Sequence, residues 1–275
     1  MRNNLFKFLV LLSIICNPSF ADQFIFETSK IDILDKGSLI VAQEGTAKSN
    51  DQDLVIKAKK FEYRKEKKIL KAFYGVAYFR SNNLEIEFDE IISNQLTEIT
   101  TAKNNIKIFD QDKKILIETD LVNLDKKRNM LESSTPSIVK DKMENTINTD
   151  VFYYDLQDKI LRLNNVQFKD IYDNNFNIES AYLDTASNEL VGKDIILNLN
   201  NKSFNKNNEP RIKGRSIEYN NEKTEITKGV FTTCKKNDRC PPWQLSAEKI
   251  QHNPKKQIIN YKNAWKANLI ANKST

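Results

Sequence analysis

The chain has 275 residues, of which 43 are Lys or Arg and 37 are Asp or Glu, with one His, three Cys, six Gly and six Pro. So few Gly and Pro exclude a collagen-like or Pro/Gly-rich disordered chain, and three Cys are too few for a disulfide scaffold. The formal net charge of +6 is mild and is compatible with anionic partners without requiring one.

The N-terminal segment has the features of a cleaved secretory signal. Arg2 and Lys7 flank the start of an apolar run at residues 5–15, and the small residue Ala21 precedes the expected cleavage point. The alternative, a membrane anchor, is weaker because the run is shorter than the ~20 residues that a spanning helix needs. We therefore expect residues 1–21 to be removed and the remaining protein to be exported.

The rest of the sequence repeats itself. In each unit an apolar, a variable and a small residue are followed, five positions after the first, by another apolar residue, as in Ile56, Ala58 and Phe61, and only Phe88 departs from the small residue. The units begin at Phe26, Ile56, Ile86, Ile117, Ile147, Ile178, Ile212 and Leu245, with 30 to 34 residues between successive starts. Such self-similarity at a nearly fixed period indicates a stack of similar structural units.

Apolar residues alternate within each unit, which is the period of a strand with one buried face. The step from Ala58 to Phe61 is odd and recurs in every unit, so we expect a bulge or corner there that changes which face points inward. A polar turn and a second apolar pair follow, as in Ile69 and Leu70, and then a third short segment, Gly75 to Phe79. Each unit is interpreted as two or three short antiparallel strands.

The pattern predicts an elongated all-β fold in about eight repeats of ~30 residues, with one domain over residues 22–267 and a short tail at 268–275. Because a single unit cannot bury its apolar face, stacking should create an apolar seam along the molecule. The seam is either filled by side chains or partly open as a groove for a lipid. The inward candidates are Ile56, Phe61, Ile86, Ile91, Ile117, Val122, Ile147, Phe152, Ile178 and Leu183.

Cys234 and Cys240 are the two cysteines outside the predicted signal, and they lie in a polar segment. In an oxidising compartment, cysteines at this spacing favour a loop-closing disulfide over a metal site. Free thiols, or bonds to another chain, are the alternative. We expect no metal and no cofactor.

The sequence contains no positive sign of catalysis. His252, the only histidine, occupies a repeat position that holds Tyr63 or Leu124 in other units, which favours a structural role over a general base. Phosphate-binding and hydrolase motifs are absent from the sequence, and export argues against nucleic-acid binding. We therefore expect a protein that is not an enzyme.

The C-terminal unit carries a recognisable motif. Phe231-Thr-Thr-Cys234, Cys240-Pro-Pro-Trp243 and the following residues to Ile250 resemble the end of the periplasmic N-terminal domain of LptD, the lipopolysaccharide-assembly protein. The repeats likewise resemble the OstA-like fold shared by LptA, LptC and that domain.

The resemblance implies a β-jellyroll, folded like a taco, that carries the lipid A acyl chains of lipopolysaccharide in its interior. It implies location in the periplasm at the outer membrane of a Gram-negative bacterium. It further implies edge-to-edge docking with an LptA-like jellyroll and cooperation with LptE and a β-barrel. The sequence has no such C-terminal barrel after Trp265, so the expectation is a truncated or split LptD.

Three alternatives remain open at this stage. The chain could be an LptA-like periplasmic bridge, or a structural β-solenoid that its own side chains fill and that takes no lipid. It could also be a polysaccharide-acting enzyme on a β-solenoid, which would need facing carboxylates and aromatic platforms in one cleft.

Overall fold

The computed structural model describes residues 24–142, 145–200, 202, 204, 208–220, 222–235 and 243–268. It contains one sheet of eighteen strands and two short 3-10 turns, Asp35–Gly37 and Arg80–Asn82. The strands are β1 (Ile25–Leu34), β2 (Leu39–Lys48), β3 (Leu54–Arg64), β4 (Ile69–Phe79), β5 (Leu84–Asn94), β6 (Ile99–Asp110), β7 (Ile115–Asp125), β8 (Met130–Ser133), β9 (Ser137–Lys140), β10 (Thr146–Thr149), β11 (Val151–Asp155), β12 (Ile160–Lys169), β13 (Asn175–Asp184), β14 (Glu189–Asn198), β15 (Arg211–Tyr219), β16 (Thr224–Thr232), β17 (Trp243–Asn253) and β18 (Ile258–Asn268). The predicted all-β class is confirmed.

The sheet is an antiparallel meander in which neighbours in sequence are neighbours in space. For example, β3 and β4 pair along their whole length, from Leu54 opposite Phe79 to Arg64 opposite Ile69. The four short strands form two long ones, because β8 pairs with β11 and β9 with β10. Pro136, which has no N–H to donate, lies in the break between β8 and β9.

Each long strand bends near its middle, and the bend is where the repeat has its odd step. In β3 the buried residues are Leu54, Ile56 and Ala58 before the bend, then Phe61 and Tyr63 after it. The buried positions therefore change from even-numbered to odd-numbered residues at the bend. The apolar side chains stay on the same side of the sheet. The predicted corner is confirmed.

The second strand of a repeat, which runs antiparallel to the first, bends at a residue with positive φ that lies beside the bend of the first strand. Tyr74 in β4 has a φ of 56° and is followed by Gly75. A Cβ on Gly75 would lie 2.1 Å from the carbonyl oxygen of Lys57 on the adjacent strand, so only glycine fits this close approach. Asn105 and Asn165 bend β6 and β12, and each donates a hydrogen bond to an aspartate, Asp89 in β5 and Asp150 between β10 and β11.

In most units the predicted third segment is not a separate strand, and the exception is β9 in the unit that begins at Ile117. Gly75 to Phe79 is the second half of β4, which runs unbroken through its bend. A typical unit is thus two long bent strands. The reason is that the ladder hydrogen bonds continue on both sides of the single residue with positive φ.

The bends fold the sheet into two walls that enclose one apolar interior. Buried apolar residues from β2 to β17, together with Phe24, form a single cluster. Rings from opposite walls meet inside it: Phe26, before the bend of β1, lies 5.9 Å from Phe61, after the bend of β3. Phe176 and Tyr219 make the same kind of contact at 5.2 Å. Burial of each such side chain stabilises the fold by about 2 kcal/mol.

Two rows of connections border the walls opposite the bends. Rim A comprises the connections β1–β2, β3–β4, β5–β6, β7–β8, β11–β12, β13–β14, β15–β16 and β17–β18. Rim B comprises the connections β2–β3, β4–β5, β6–β7, β9–β10, β12–β13, β14–β15 and β16–β17. We call the line where the rims approach each other the mouth.

Candidate ligand-binding interior

The ten predicted inward residues all lie in the interior, and none is more than 2% exposed. Ile56, Ile86, Ile117, Ile147 and Ile178 precede their bends and lie on the wall next to rim B. Phe61, Ile91, Val122, Phe152 and Leu183 follow their bends and lie on the wall next to rim A. Because the two sets belong to one packed cluster, a ligand could touch them only if the walls separated.

The interior is tightly packed by aromatic rings in the later repeats as well. Phe168 and Phe176 stack with their ring centres 4.1 Å apart, and Tyr219 from the opposite wall lies 5.1 Å from Phe168. Burial raises the pKa of Tyr219, and nearby Asp170 adds to that effect. Its hydroxyl therefore stays protonated at neutral pH.

The first bridge across the mouth joins Lys126 on rim A to two aspartates on rim B. Its Nζ lies 2.7 Å from Asp51 Oδ2 and 3.0 Å from Asp53 Oδ2. Partial burial by itself would raise the pKa of Asp51, but hydrogen bonds from Lys126 and Ser49 lower that pKa to about 2. The stability that the ionised Asp51 carboxylate contributes is therefore complete above the unfolded pKa of about 4 and is lost as pH falls through 2.

The second bridge is centred on Asp110, whose side chain is 1% exposed. Asp110 Oδ2 accepts a 2.6 Å hydrogen bond from the Tyr154 hydroxyl and lies 3.2 Å from Lys159 Nζ. Burial raises the pKa of Tyr154, and the Asp110 carboxylate raises it further. A buried charge with these two partners across the mouth holds the two rims together more firmly than a surface ion pair does.

The third bridge is a buried cluster of Asp141, Asn145 and Asn188. Asp141 Oδ2 accepts hydrogen bonds from Asn145 Nδ2 at 2.7 Å and, across the mouth, from Asn188 Nδ2 at 3.2 Å. Lys142 Nζ donates to the Ala186 carbonyl oxygen at 2.9 Å beside it. The middle of the mouth is thus closed by polar contacts above an apolar interior.

A gap remains next to the first bridge, with a volume of about 280 Å³. Its buried floor includes Phe24, Leu54 and Leu124. Gln95 from rim A and Asp51 from rim B line it closer to the solvent. The gap is therefore a small opening with an apolar bottom and a polar edge.

Larger open spaces lie near the C-terminal end of the sheet. One hollow of about 350 Å³ is lined by Phe231, Trp243, Leu245, Tyr261 and Lys266. The ring of Phe231 lies 5.9 Å from that of Trp243 and 6.2 Å from that of Tyr261. Burial raises the pKa of Tyr261 to about 12, so this aromatic pocket carries no charge apart from Lys266 at its edge.

A second hollow of about 510 Å³ shares Phe231 with the first and reaches the mouth at His252. His252 is 9% exposed, and its Nδ1 has no hydrogen-bond partner among the described residues. Burial lowers the pKa of His252 to about 4, so the ring is neutral at pH 7. Leu199 and Ile259 provide the apolar part of this hollow.

At the opposite end, none of the other described residues covers the inward side of β1 after its bend. Its positions that correspond to Phe61 and Tyr63 hold Ile31 and Ile33, which are 45% and 64% exposed. Among the described residues β1 pairs with β2, and its other edge is available. The apolar interior therefore reaches solvent at the N-terminal end of the stack.

Several sequence predictions fall on residues outside those described. The signal at 1–21 and residues 269–275 of the tail are among them, while β18 extends to Asn268. Cys234 is half-buried next to Trp243, but Cys240 lies outside the described residues, so their pairing stays a prediction.

Within the described ranges, no group of three or more His, Cys, Asp or Glu side chains could hold a metal ion. None of the helical segments found there is long and apolar enough to cross a membrane. No known family model matches the chain. No curated protein matches it either.

Proposed function

We propose that this chain is a periplasmic lipopolysaccharide-binding and transfer module that passes lipid through its folded sheet toward the outer membrane. The observation that supports this best is the continuous apolar interior, which is closed by polar bridges in the middle and open at both ends. The motif around Cys234 and Trp243 supports an LptD-like rather than an LptA-like role.

The hollows beside Phe231 supply room for acyl chains without any movement of the walls. Their volumes, about 350 and 510 Å³, fall within the range of pockets that bind drug-sized ligands. Burial of an acyl chain contributes about 0.8 kcal/mol per CH₂ group. Several chains held in this way would dissociate slowly, so transfer needs energy or a competing acceptor supplied by partners.

Lipid could pass beyond these hollows only if the rims separated. The bridges of Lys126, Asp110 and Asp141 are polar and lie at the mouth, so they could open while the bends keep the two walls joined. In this proposal no covalent bond is made or broken by the chain. The protein is a conduit and not an enzyme.

The N-terminal end supplies the docking surface in the proposal. The available edge of β1 and the exposed Ile31 and Ile33 suit a partner jellyroll that continues the sheet and covers the apolar side chains. An LptA-like protein is the expected partner there. LptE and a separately encoded barrel belong to the proposal through the sequence motif alone.

Tryptophan fluorescence tests the proposal directly. Trp243 lines the aromatic hollow, whereas Trp265 is 61% exposed and pairs with the outward residue Ser246. In a Trp265→Phe variant, lipopolysaccharide should shift the Trp243 emission to shorter wavelength in a saturable way. A Trp243→Phe variant, which keeps only Trp265, is the matched control and should show little change.

A filled structural solenoid is the second candidate, and the complete burial of the ten inward residues favours it. It predicts that Trp243 emission is unaffected by lipopolysaccharide at any concentration. A saturable shift of Trp243 alone therefore separates the two candidates.

A further inference from the structure

The first four connections of rim A carry a marked excess of positive charge. They span residues 35–38, 65–68, 95–98 and 126–129 and hold seven basic and three acidic side chains. The basic ones are Lys36, Lys65, Lys67, Lys68, Lys126, Lys127 and Arg128, and the acidic ones are Asp35, Glu66 and Glu98. The facing connections of rim B, at 49–53, 80–83 and 111–114, hold three of each sign.

Backbone hydrogen bonds align these four connections in one row. Lys65 N donates to Ser38 O at 2.9 Å, Gln95 N to Lys68 O at 3.0 Å, and Lys126 N to Glu98 O at 3.0 Å. Successive connections are two strands apart, which is about 10 Å. The basic side chains therefore form a linear patch of about 30 Å along one border of the mouth.

The patch has charge available for a partner. Lys126 and Arg128 make ion pairs with aspartates. No ion pair is found for Lys65, Lys67 or Lys127 among the residues that the structure describes. Lys67 and Lys127 are also exposed.

An apolar side chain projects from the middle of the same row. Leu96 is 60% exposed and lies between the basic connections at 65–68 and 126–129. A leucine flanked by lysines on a linear surface is the combination that proteins use to bind membrane interfaces, where cations meet lipid phosphates and the apolar group enters the headgroup region.

We propose that this part of rim A docks on the surface of an anionic phospholipid bilayer. The positive row provides the attraction, and Leu96 provides a shallow anchor. The orientation brings the gap beside Lys126 next to the bilayer, with the bends directed away from it. This inference goes beyond the transport proposal and does not depend on lipid entering the interior.

Vesicle flotation tests the inference with the chain from residue 22 onward, which contains every strand described. The vesicles contain phosphatidylglycerol and phosphatidylethanolamine, or phosphatidylcholine alone, and no lipopolysaccharide. We expect binding to the anionic vesicles only, and release at 0.5 M salt because the attraction is screened.

Two matched sets of variants locate the surface. The triple variant Lys65→Gln, Lys67→Gln, Lys127→Gln should weaken binding about 100-fold, at about five-fold for each lysine. The triple variant Lys59→Gln, Lys193→Gln, Arg215→Gln removes the same charge at the bends and should bind like the unmodified chain.

The apolar anchor has its own control. Leu96→Ser should weaken binding about ten-fold. Ile171→Ser, which changes a 63% exposed residue on rim B, should have no effect.

Failure of the chain to float with anionic vesicles, or equal losses in the two triple variants, would overturn the inference. Neither outcome bears on the Trp243 experiment, because no lipopolysaccharide is present. Circular dichroism of each variant confirms that the sheet is intact.

Discussion

His252 should make the stability of this protein fall between pH 6.5 and pH 4. Its ring is 9% exposed and its Nδ1 has no partner among the described residues, so protonation would place an uncompensated charge beside the interior. In the unfolded chain the ring titrates near 6.5, whereas burial lowers its pKa in the folded protein to about 4. The folded state therefore disfavours the proton that the unfolded state takes up.

The size and sign of the effect follow from linkage. A group whose pKa is lowered by folding contributes stability above its unfolded pKa and loses it as pH falls through the folded pKa. A difference of about 2.5 pK units corresponds to about 3 kcal/mol. The acid effect of the Lys126 bridge does not overlap, because the pKa of Asp51 is about 2.

Urea unfolding at pH 7, 5.5 and 4 measures this contribution when it is compared with a His252→Leu variant. The equivalent position of another unit holds Leu124, which is 3% exposed, so leucine suits the site. The unmodified protein should lose about 3 kcal/mol more than the variant between pH 7 and pH 4. Parallel losses in the two proteins would show that His252 does not contribute, since all other titrating groups are shared.

Four further substitutions test the bends, the mouth and the walls. Gly75→Ala should destabilise the fold by about 3 kcal/mol in thermal unfolding, because the added methyl would lie 2.1 Å from a carbonyl oxygen; an unchanged melting temperature would contradict the bend geometry. Lys159→Met should lower the free energy of unfolding by about 3 kcal/mol, since it leaves Asp110 buried without its cation. Lys126→Met removes a half-exposed partner and should cost less than about 1 kcal/mol, so equal effects of the two would disprove the ranking. Phe61→Ala should cost about 4 kcal/mol by urea titration, and a loss below 1 kcal/mol would show that the walls are not packed there.

Much of the fold could be predicted because the information is local. The alternation of Leu54, Ile56 and Ala58, followed by the odd step to Phe61, encodes a strand, a bend and a second strand half. Eight copies of that pattern specify a stack, since each copy leaves an apolar face that a neighbour must cover. The sequence left two or three strands per unit open, and most units have two, because a bend at one residue such as Tyr74 interrupts the side-chain pattern without breaking the ladder.

The closure of the mouth could not be predicted because it depends on distant residues. Lys126 and Asp51 are 75 positions apart, and Asp110 and Lys159 are 49 positions apart. These offsets arise from how the walls fold over one another, which no single repeat encodes. The charged connections look like ordinary solvated turns in the sequence.

The open hollows were likewise invisible in the pattern. Phe231 and Trp243 follow the same repeat pattern as the packed residues. The sequence around them shows a motif, but nothing in it indicates that they line a cavity. A hollow is the part of the space between the walls that side chains do not fill. It therefore becomes visible only when the positions of both walls are known.

Site-specific photo-crosslinking tests most directly whether the interior carries lipid. A photoreactive residue is placed at Phe61 or Phe231, which point inward, and at Lys59, which is exposed on the outside of the β3 bend two positions from Phe61. With lipopolysaccharide supplied during export, we expect crosslinks at Phe231 and Phe61 and none at Lys59. Folded variants that give no crosslink at either inward position, or equal crosslinking at Lys59, would contradict this expectation.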